Sequence, residues 1–194
     1  MFSHMSNSIA TLLGVAFSAG LNIYATVLAL GVLHRLEMFS LPDSLVLLAS
    51  TPVMIAAAIL YIVEFVADKI PWVDSIWDGI HTVIRPVAAA LLAYGLFDTL
   101  EPQLQIIAAL AGGGIALTSH AAKASTRAAV NVSPEPFSNW FLSLAEDGLV
   151  FVVMWLIAAH PIVALLLVLF LVALSVTIVW KFSRFVRRVF RPKE

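Results

Sequence analysis

Long apolar stretches separated by short polar turns run along the whole chain. Most of these stretches reach the length of about 20 residues that a helix needs to cross a bilayer. Proline, aspartate and asparagine occupy the turns, where they stop one helix and cap the next. The pattern predicts an all-α membrane protein of six spans, at residues 8–33, 45–66, 72–98, 105–124, 140–158 and 163–180.

Several predicted spans contain polar or glycine-rich interruptions. SAGLN ends at Asn22, and ASTP contains Ser50 and Thr51, so we expect a kinked or broken helix at each. GGGIALTSH and LAEDG are further candidate breaks, although consecutive glycines also let two helices approach closely. We expect a kink at Pro86 and a loop at NVSPEPFSN.

Composition supports a single membrane domain over residues 1–194. Apolar residues make up 61% of the chain, against about 45–50% in an ordinary soluble domain. The absence of cysteine excludes disulfides, thiolate metal sites and cysteine nucleophiles. Nucleotide-binding loops, nucleophile elbows and zinc-protease signatures are also missing from the sequence. We therefore expect no enzyme activity, no cofactor, no metal and no nucleic-acid partner.

Positive charge is concentrated at the C-terminus, where six of the eleven Lys and Arg residues fall within the last fourteen positions. This basic tail, residues 181–194, suits the surface of an anionic leaflet. Six spans place both termini on one side, and the positive-inside rule makes that side cytoplasmic. The expected location is a bacterial inner membrane. Lys69 agrees with this orientation, and Arg35 on the outer side does not.

The two halves of the sequence match weakly in three places and in the same order. The matches suggest a repeat of residues 8–98 in residues 103–188. With three spans in each copy, the copies would lie in opposite orientations, as in the inverted repeats of many secondary transporters. The polar breaks would then meet near the axis that relates the copies.

Charged side chains on the fourth and fifth spans are the main candidates for a site. His120, Lys123 and Arg127 share one helix face by their spacing. They either hold an anion, or the two cations extend to the interface while His120 is a buried donor. Glu146 and Asp147 either pair with these cations or bind a proton or cation.

Two other charged groups have less specific interpretations. Four residues of the third span lie on one face and favour an amphipathic helix at the interface: Asp74, Asp78, His81 and Arg85. Glu64 and Asp68, four residues apart, could contribute ligands for a divalent cation, but nothing in the spacing specifies a metal.

Three motifs, SAGLNIY, EFVADKIPWVDSIWD and HAAKASTRAAVNVSPEPFSNWFLSLAED, resemble the bacterial integral membrane family catalogued as domain of unknown function 4126. The resemblance covers nearly the whole chain. It implies a small inner-membrane protein with no established activity, so it assigns no role to any residue.

The leading hypothesis is a transporter or permease for a small ion, an anionic solute or a lipid phosphate, working by alternating access. A carboxylate or His120 would exchange a proton. The alternative is a structural or assembly subunit of a membrane complex, in which polar groups only join helices. A homodimer is left open. The candidate binding residues are Asn22, Ser50, Thr51, His120, Lys123, Arg127, Glu146 and Asp147.

Overall fold

The computed structural model describes residues 2–131 and 137–189, and their side chains apart from those of residues 2–5 and 71. These residues form seven α-helices and one 3-10 helix. In chain order they are α1 (Phe2–Leu21), α2 (Ile23–Arg35), the 3-10 helix (Asp43–Ala49), α3 (Thr51–Ala67), α4 (Pro71–Leu96), α5 (Pro102–Val130), α6 (Phe137–Ala159) and α7 (Pro161–Val189).

Four of these helices, α4 to α7, are long and apolar enough to cross a membrane. The 3-10 helix and α3 meet the same criterion together, with a bend of 63° between them at Ser50. The first predicted span is divided into two shorter apolar helices, α1 and α2, at Asn22. The predicted all-α membrane fold is confirmed, as are the breaks at SAGLN and ASTP.

Prolines explain where several helices begin. Pro52, Pro71 and Pro102 each stand in the first turn of a helix, and α7 starts at Pro161. A proline is tolerated there because the amide it lacks would have no partner within the helix. Pro86 lies inside α4, which continues through it as one helix.

The two ends of the helical bundle are marked by turns. The Asp98 end holds the turn of residues 97–101 between α4 and α5, and the Asp68 end holds the turn of residues 68–70 between α3 and α4. The 3-10 helix starts at the Asp98 end, where Ser44 Oγ donates to the Gly95 carbonyl at 2.8 Å. From there α3 to α7 cross between the two ends in alternating directions.

The chain reverses at Asn22. Gly14 of α1 lies against Ile157 of α6, and Asn22 bonds to Asp147, further toward the start of α6. The second half of α2 then shares an apolar cavity with the second half of α6. Helices α1 and α2 therefore enter and leave at the Asp98 end, as a helical hairpin.

The hairpin changes the predicted topology. With α1 starting at the Asp98 end and α7 running from that end toward the other, the first described residue of α1 and the last described residue of α7 lie at opposite ends of the bundle. The sequence pattern predicted a single crossing for residues 8–33, because it shows that a helix breaks but not the angle at the break.

Helices α1 and α5, which the repeat matches to each other, run in the same direction. Ala16 of α1 lies near Gly112 of α5, and five residues later the Leu21 carbonyl accepts from Lys123. An inverted repeat needs these helices to be opposed, so the structure corrects the predicted inverted relation.

The predicted breaks in the second half are wrong, since α5 and α6 run through GGGIALTSH and LAEDG without interruption. The glycines instead allow close packing of α5 on α4. A Cβ added at Gly112 would lie 2.7 Å from the Ala93 Cβ, and one at Gly113 would lie 3.2 Å from the Pro86 carbonyl oxygen.

Two predicted segments lie partly outside the described residues. The loop NVSPEPFSN falls mostly on residues 132–136, which are not described. The basic tail continues α7 as helix to Val189, and residues 190–194 lie beyond the described part.

Candidate functional site

Charged side chains from α3, α4, α5 and α6 meet inside the bundle, in a cluster that we name the polar core. Its members are the carboxylates Glu64, Asp68, Asp74, Asp78, Glu146 and Asp147 and the cations Arg85, Lys123 and Arg127. Eight of the nine are at most 5% exposed, and the side chain of Glu146 is 14% exposed. Charges this deep in a membrane protein are costly and are usually tied to function.

Lys123 and Arg127 of α5 are both held by carboxylates. Lys123 Nζ donates to Asp68 Oδ2 at 2.9 Å, and Arg127 donates to Glu146 Oε2 at 2.6 Å and to Asp68 Oδ2 at 3.2 Å. Arg127 also donates to the backbone carbonyls of Asp68 and Asn139. The spacing correctly placed these two cations on one face of α5, and the face is buried.

Arg85 is the third buried cation and lies on α4. It donates to Glu64 Oε1 at 2.8 Å and to His120 Nδ1 at 2.6 Å, and it lies 3.4 Å from Asp78 Oδ1. Because arginine can only donate, His120 Nδ1 must be the acceptor.

The proton of His120 therefore resides on Nε2, which faces the Thr82 hydroxyl at 3.0 Å and the Asp78 carbonyl at 3.2 Å. A second proton would put an N–H against the Arg85 guanidinium. The contacts thus fit a neutral His120, and they argue against the predicted role of this residue in proton exchange.

The chain reversal at Asn22 is built into the polar core. The last carbonyls of α1, at Gly20 and Leu21, accept from Arg85 and Lys123 at 3.3 Å each. Such carbonyls have no partner within their own helix and carry partial negative charge. The two cations therefore cap the end of α1 inside the bundle.

Asn22 connects the reversal to α6. Its Oδ1 accepts from the amide of Ala25 at 2.9 Å, which caps the start of α2. Its Nδ2 donates to Asp147 Oδ1 at 3.0 Å. A single side chain thus caps one helix and holds a carboxylate of another.

The polar core holds more acids than bases, with six carboxylates against three cations among the described residues. Several of these carboxylates keep a buried oxygen that accepts no hydrogen bond within the described part of the chain. These atoms are Glu64 Oε2, Asp68 Oδ1, Asp74 Oδ1, both oxygens of Asp78 and Asp147 Oδ2. Buried polar atoms are nearly always bonded, so this group needs an explanation.

Asp68 follows the last residue of α3 and titrates differently from a free carboxyl. Burial raises the pKa of Asp68, but the charges of Lys123 and Arg127 and the hydrogen bond from Lys123 outweigh burial and hold it below its usual value. This carboxyl is a fixed negative charge at neutral pH.

Ser50 and Thr51 are not part of the polar core, which corrects the prediction that the polar breaks meet. Thr51 Oγ1 accepts from Arg35 at 2.7 Å, and Ser50 lines an open cavity of about 850 Å³ with His34 and Arg35. Both residues lie at the Asp98 end. The other predicted site residues, Asn22, His120, Lys123, Arg127, Glu146 and Asp147, are brought together.

The sequence interpretation missed the contribution of α4. Asp74, Asp78, His81 and Arg85 are at most 5% exposed, so the face assigned to the membrane interface is buried. The signal was available, because these residues lie on a helix long enough to span. Glu64 and Asp68 bind cationic side chains, and the described residues contain no group of three or more His, Asp or Glu arranged to hold a metal.

Buried charges inside a bundle of apolar, membrane-length helices define a multi-pass helical membrane protein with a polar interior. The chain belongs to the family described as "Domain of unknown function (DUF4126)", whose model matches residues 9–181. Searches of curated proteins and of solved structures find no match.

Proposed function

We propose that the protein is a membrane transporter for a small cation, with its site in the polar core. One observation carries the proposal: the excess of buried carboxylates, several with an oxygen that has no hydrogen-bond partner among the described residues. A buried carboxylate without a counter-charge is strongly unfavourable. A bound proton or metal cation would supply the missing charge.

The polar core is better suited to a cation than to the anionic solute or lipid phosphate that the sequence left open. Lys123 and Arg127 were the candidates for gripping an anion, and both already contact Asp68 and Glu146. Arg85 is similarly occupied by Glu64. An incoming anion would have to displace these carboxylates and would meet the surplus negative charge.

Alternating access would expose the carboxylates to one end of the bundle at a time. The hairpin of α1 and α2 lies between the polar core and the Asp98 end, and its two helices meet at a single extended residue, Asn22. A helix junction of this kind is suited to move, because it has no continuous hydrogen-bond ladder to break. The carboxylates, rather than His120, would exchange the cation.

For orientation, we place the Asp68 end in the cytoplasm of a bacterial cell, with the protein in the inner membrane. Lys69 and the basic residues of α7 after Trp180 support this, since cytoplasmic flanks are enriched in Lys and Arg. The C-terminus is then cytoplasmic, as the sequence predicted, whereas the hairpin moves the N-terminus to the outside.

The alternative function, a structural or assembly subunit, is favoured by the way the cations join helices. Arg127 alone links α5 to Asp68 after α3 and to Asn139 and Glu146 on α6. Interhelical hydrogen bonds of this kind contribute about 0.6 kcal/mol each on average. This role accounts for the paired groups and leaves the unpaired carboxylate oxygens unexplained.

Asp78→Asn separates the two functions, because neither oxygen of Asp78 accepts a hydrogen bond from a described residue. We would measure proton, Na⁺ and K⁺ flux in proteoliposomes, together with thermal unfolding. A transporter predicts that the variant stays folded and transports more slowly, because the substitution removes part of the negative charge that attracts the cation. Glu101→Gln, which removes a charge from the exposed start of α5, should retain both properties. Wild-type protein that moves none of these cations would refute the proposal.

A further inference from the structure

The carboxylates of the polar core fall into two groups by their partners. Glu64, Asp68 and Glu146 each accept a hydrogen bond from an arginine or lysine, at 2.6–2.9 Å for the shortest contact of each. Their charge is compensated in place. Asp74, Asp78 and Asp147 accept no such bond from the described cations.

Of the three carboxylates in the second group, Asp147 has the least nearby positive charge to balance its own negative charge. Asp74 lies in the first turn of α4, where the partial positive charge of the helix favours an anion, and Asp78 faces Arg85 at 3.4 Å. Asp147 lies inside α6, away from either helix end. Its one hydrogen bond comes from the neutral amide of Asn22, and its Oδ2 is buried without a partner among the described residues.

Neighbouring elements present charges of both signs to Asp147. Lys69 and Lys123 face it with positive charge and Glu64 and Asp68 with negative charge, and Tyr61 is the other titratable neighbour. Neither lysine hydrogen-bonds to Asp147. Lys123 donates to Asp68, and Lys69 donates to the Phe65 carbonyl. No side chain that hydrogen-bonds to Asp147 within the described residues therefore neutralises its negative charge.

The only side chain bonded to Asp147 within the described residues is the one that shapes the chain reversal. Asn22 caps α2 with its oxygen and holds Asp147 with its nitrogen. A hydrogen bond to a charged acceptor is roughly twice as strong as one to a neutral acceptor. Neutralising Asp147 would therefore weaken the hydrogen bond from Asn22 and loosen the attachment of the hairpin to α6.

We infer that Asp147 is the carboxylate that binds the small cation, and that Asn22 couples its occupancy to the α1–α2 hairpin. This inference rests on the proposed function and names the site within it. The ligand is a small hard cation, either H⁺ or Na⁺. A proton delivered by hydronium would form an O–H bond at Oδ2 while the O–H bond of hydronium breaks and water is released, whereas Na⁺ would bind the same oxygen without covalent change.

The test measures flux and hairpin access together in proteoliposomes. Because the chain contains no cysteine, Ser18→Cys provides a single reporter one turn before Asn22. Ser18 is fully buried, and its hydroxyl has no partner among the described residues. A water-soluble thiol reagent then reports access to the hairpin. Asn7→Cys, on the exposed start of α1, corrects for the pH dependence of the reagent.

Two arms distinguish the cations: pH is varied without Na⁺, and Na⁺ is varied at fixed pH. We expect the labelling rate of Ser18→Cys to change in one arm, and this change to be lost when Asp147→Asn is added. Asp147→Glu should retain it, because it keeps the carboxylate. The wild-type infrared spectrum should show a buried carboxyl signal that responds to the same cation and disappears in Asp147→Asn.

The outcomes separate this inference from the proposed function. Absence of cation flux in the wild type would refute both. Cation flux that persists in Asp147→Asn with unchanged pH and Na⁺ dependence would overturn the assignment of Asp147 and leave the transporter proposal standing. Labelling of Ser18→Cys that responds equally with and without Asp147 would overturn the coupling through Asn22.

Discussion

Replacing Gly20 by alanine tests the crossing of α1 and α5 on which the topology depends. A Cβ at this position would overlap Ser119 Oγ and the Ala116 carbonyl oxygen and would lie 2.8 Å from the Ala116 Cα. The serine can turn away, but the backbone of α5 cannot. The two helices must therefore separate, and the caps that Arg85 and Lys123 place on the end of α1 must lengthen.

Overpacking of this kind costs about 1–3 kcal/mol. A loss of about 1 kcal/mol in the free energy of unfolding lowers the melting temperature of a chain of this size by about 2–4 °C. Gly20→Ala should therefore lower the melting temperature by about 2–12 °C. Gly114 is the matched control, because it lies on α5 with no atom within 4 Å of an added Cβ. Gly114→Ala should stabilise by about 0.5–1 kcal/mol, the usual gain over glycine inside a helix.

The assay is thermal unfolding of each purified variant in lipid nanodiscs. Adding Ser119→Ala to Gly20→Ala should not restore stability, because the clash with the Ala116 backbone remains. If Gly20→Ala proved as stable as Gly114→Ala, the close approach of α1 to α5 would be refuted. The inference that α1 runs in the same direction as α5 would then also be refuted.

Three further predictions concern charge and topology. Arg127→Leu leaves Asp68 and Glu146 short of a counter-charge and should cost about 3–5 kcal/mol in thermal unfolding. The pKa of Asp68 is lower in the folded protein than its unfolded value of about 3.9. The stabilisation from its charge is therefore present above that pH and is lost as the pH falls further. In thermal unfolding measured against pH, the loss of stability in acid should be shallower for Asp68→Asn. Single cysteines at Asn7 and Ser183 should react with an impermeant reagent from opposite sides of the membrane, and reaction from one side would contradict the hairpin.

The sequence predicted the helices well because their signals are local. Apolar length identified the spans, and Asn22 and Pro52 marked real interruptions at the ends of helices. The predicted breaks in α5 and α6 failed for a physical reason. Gly112 and Gly113 are placed where α4 packs closely, and tertiary packing of this kind keeps glycine-rich segments helical in a membrane bundle.

The polar core was only partly predictable, because its members are joined by contacts distant in sequence. The shared face of Lys123 and Arg127 followed from helical spacing. Their partner Asp68, however, lies at the end of a different helix, α3. The same spacing on α4 was assigned to the interface, since periodicity identifies a polar face without saying what covers it. The angle at Asn22 depends on Asp147, 125 residues later in the chain.

That separation has a consequence for how the protein is assembled. Helices α1 and α2 leave the ribosome before the groups that stabilise their reversal, which are Arg85, Lys123 and Asp147. Backbone groups at a helix break cannot remain unsatisfied in lipid. The hairpin can therefore take its final place only after α6 has been inserted, so α1 and α2 reach their final positions later than their place in the sequence suggests.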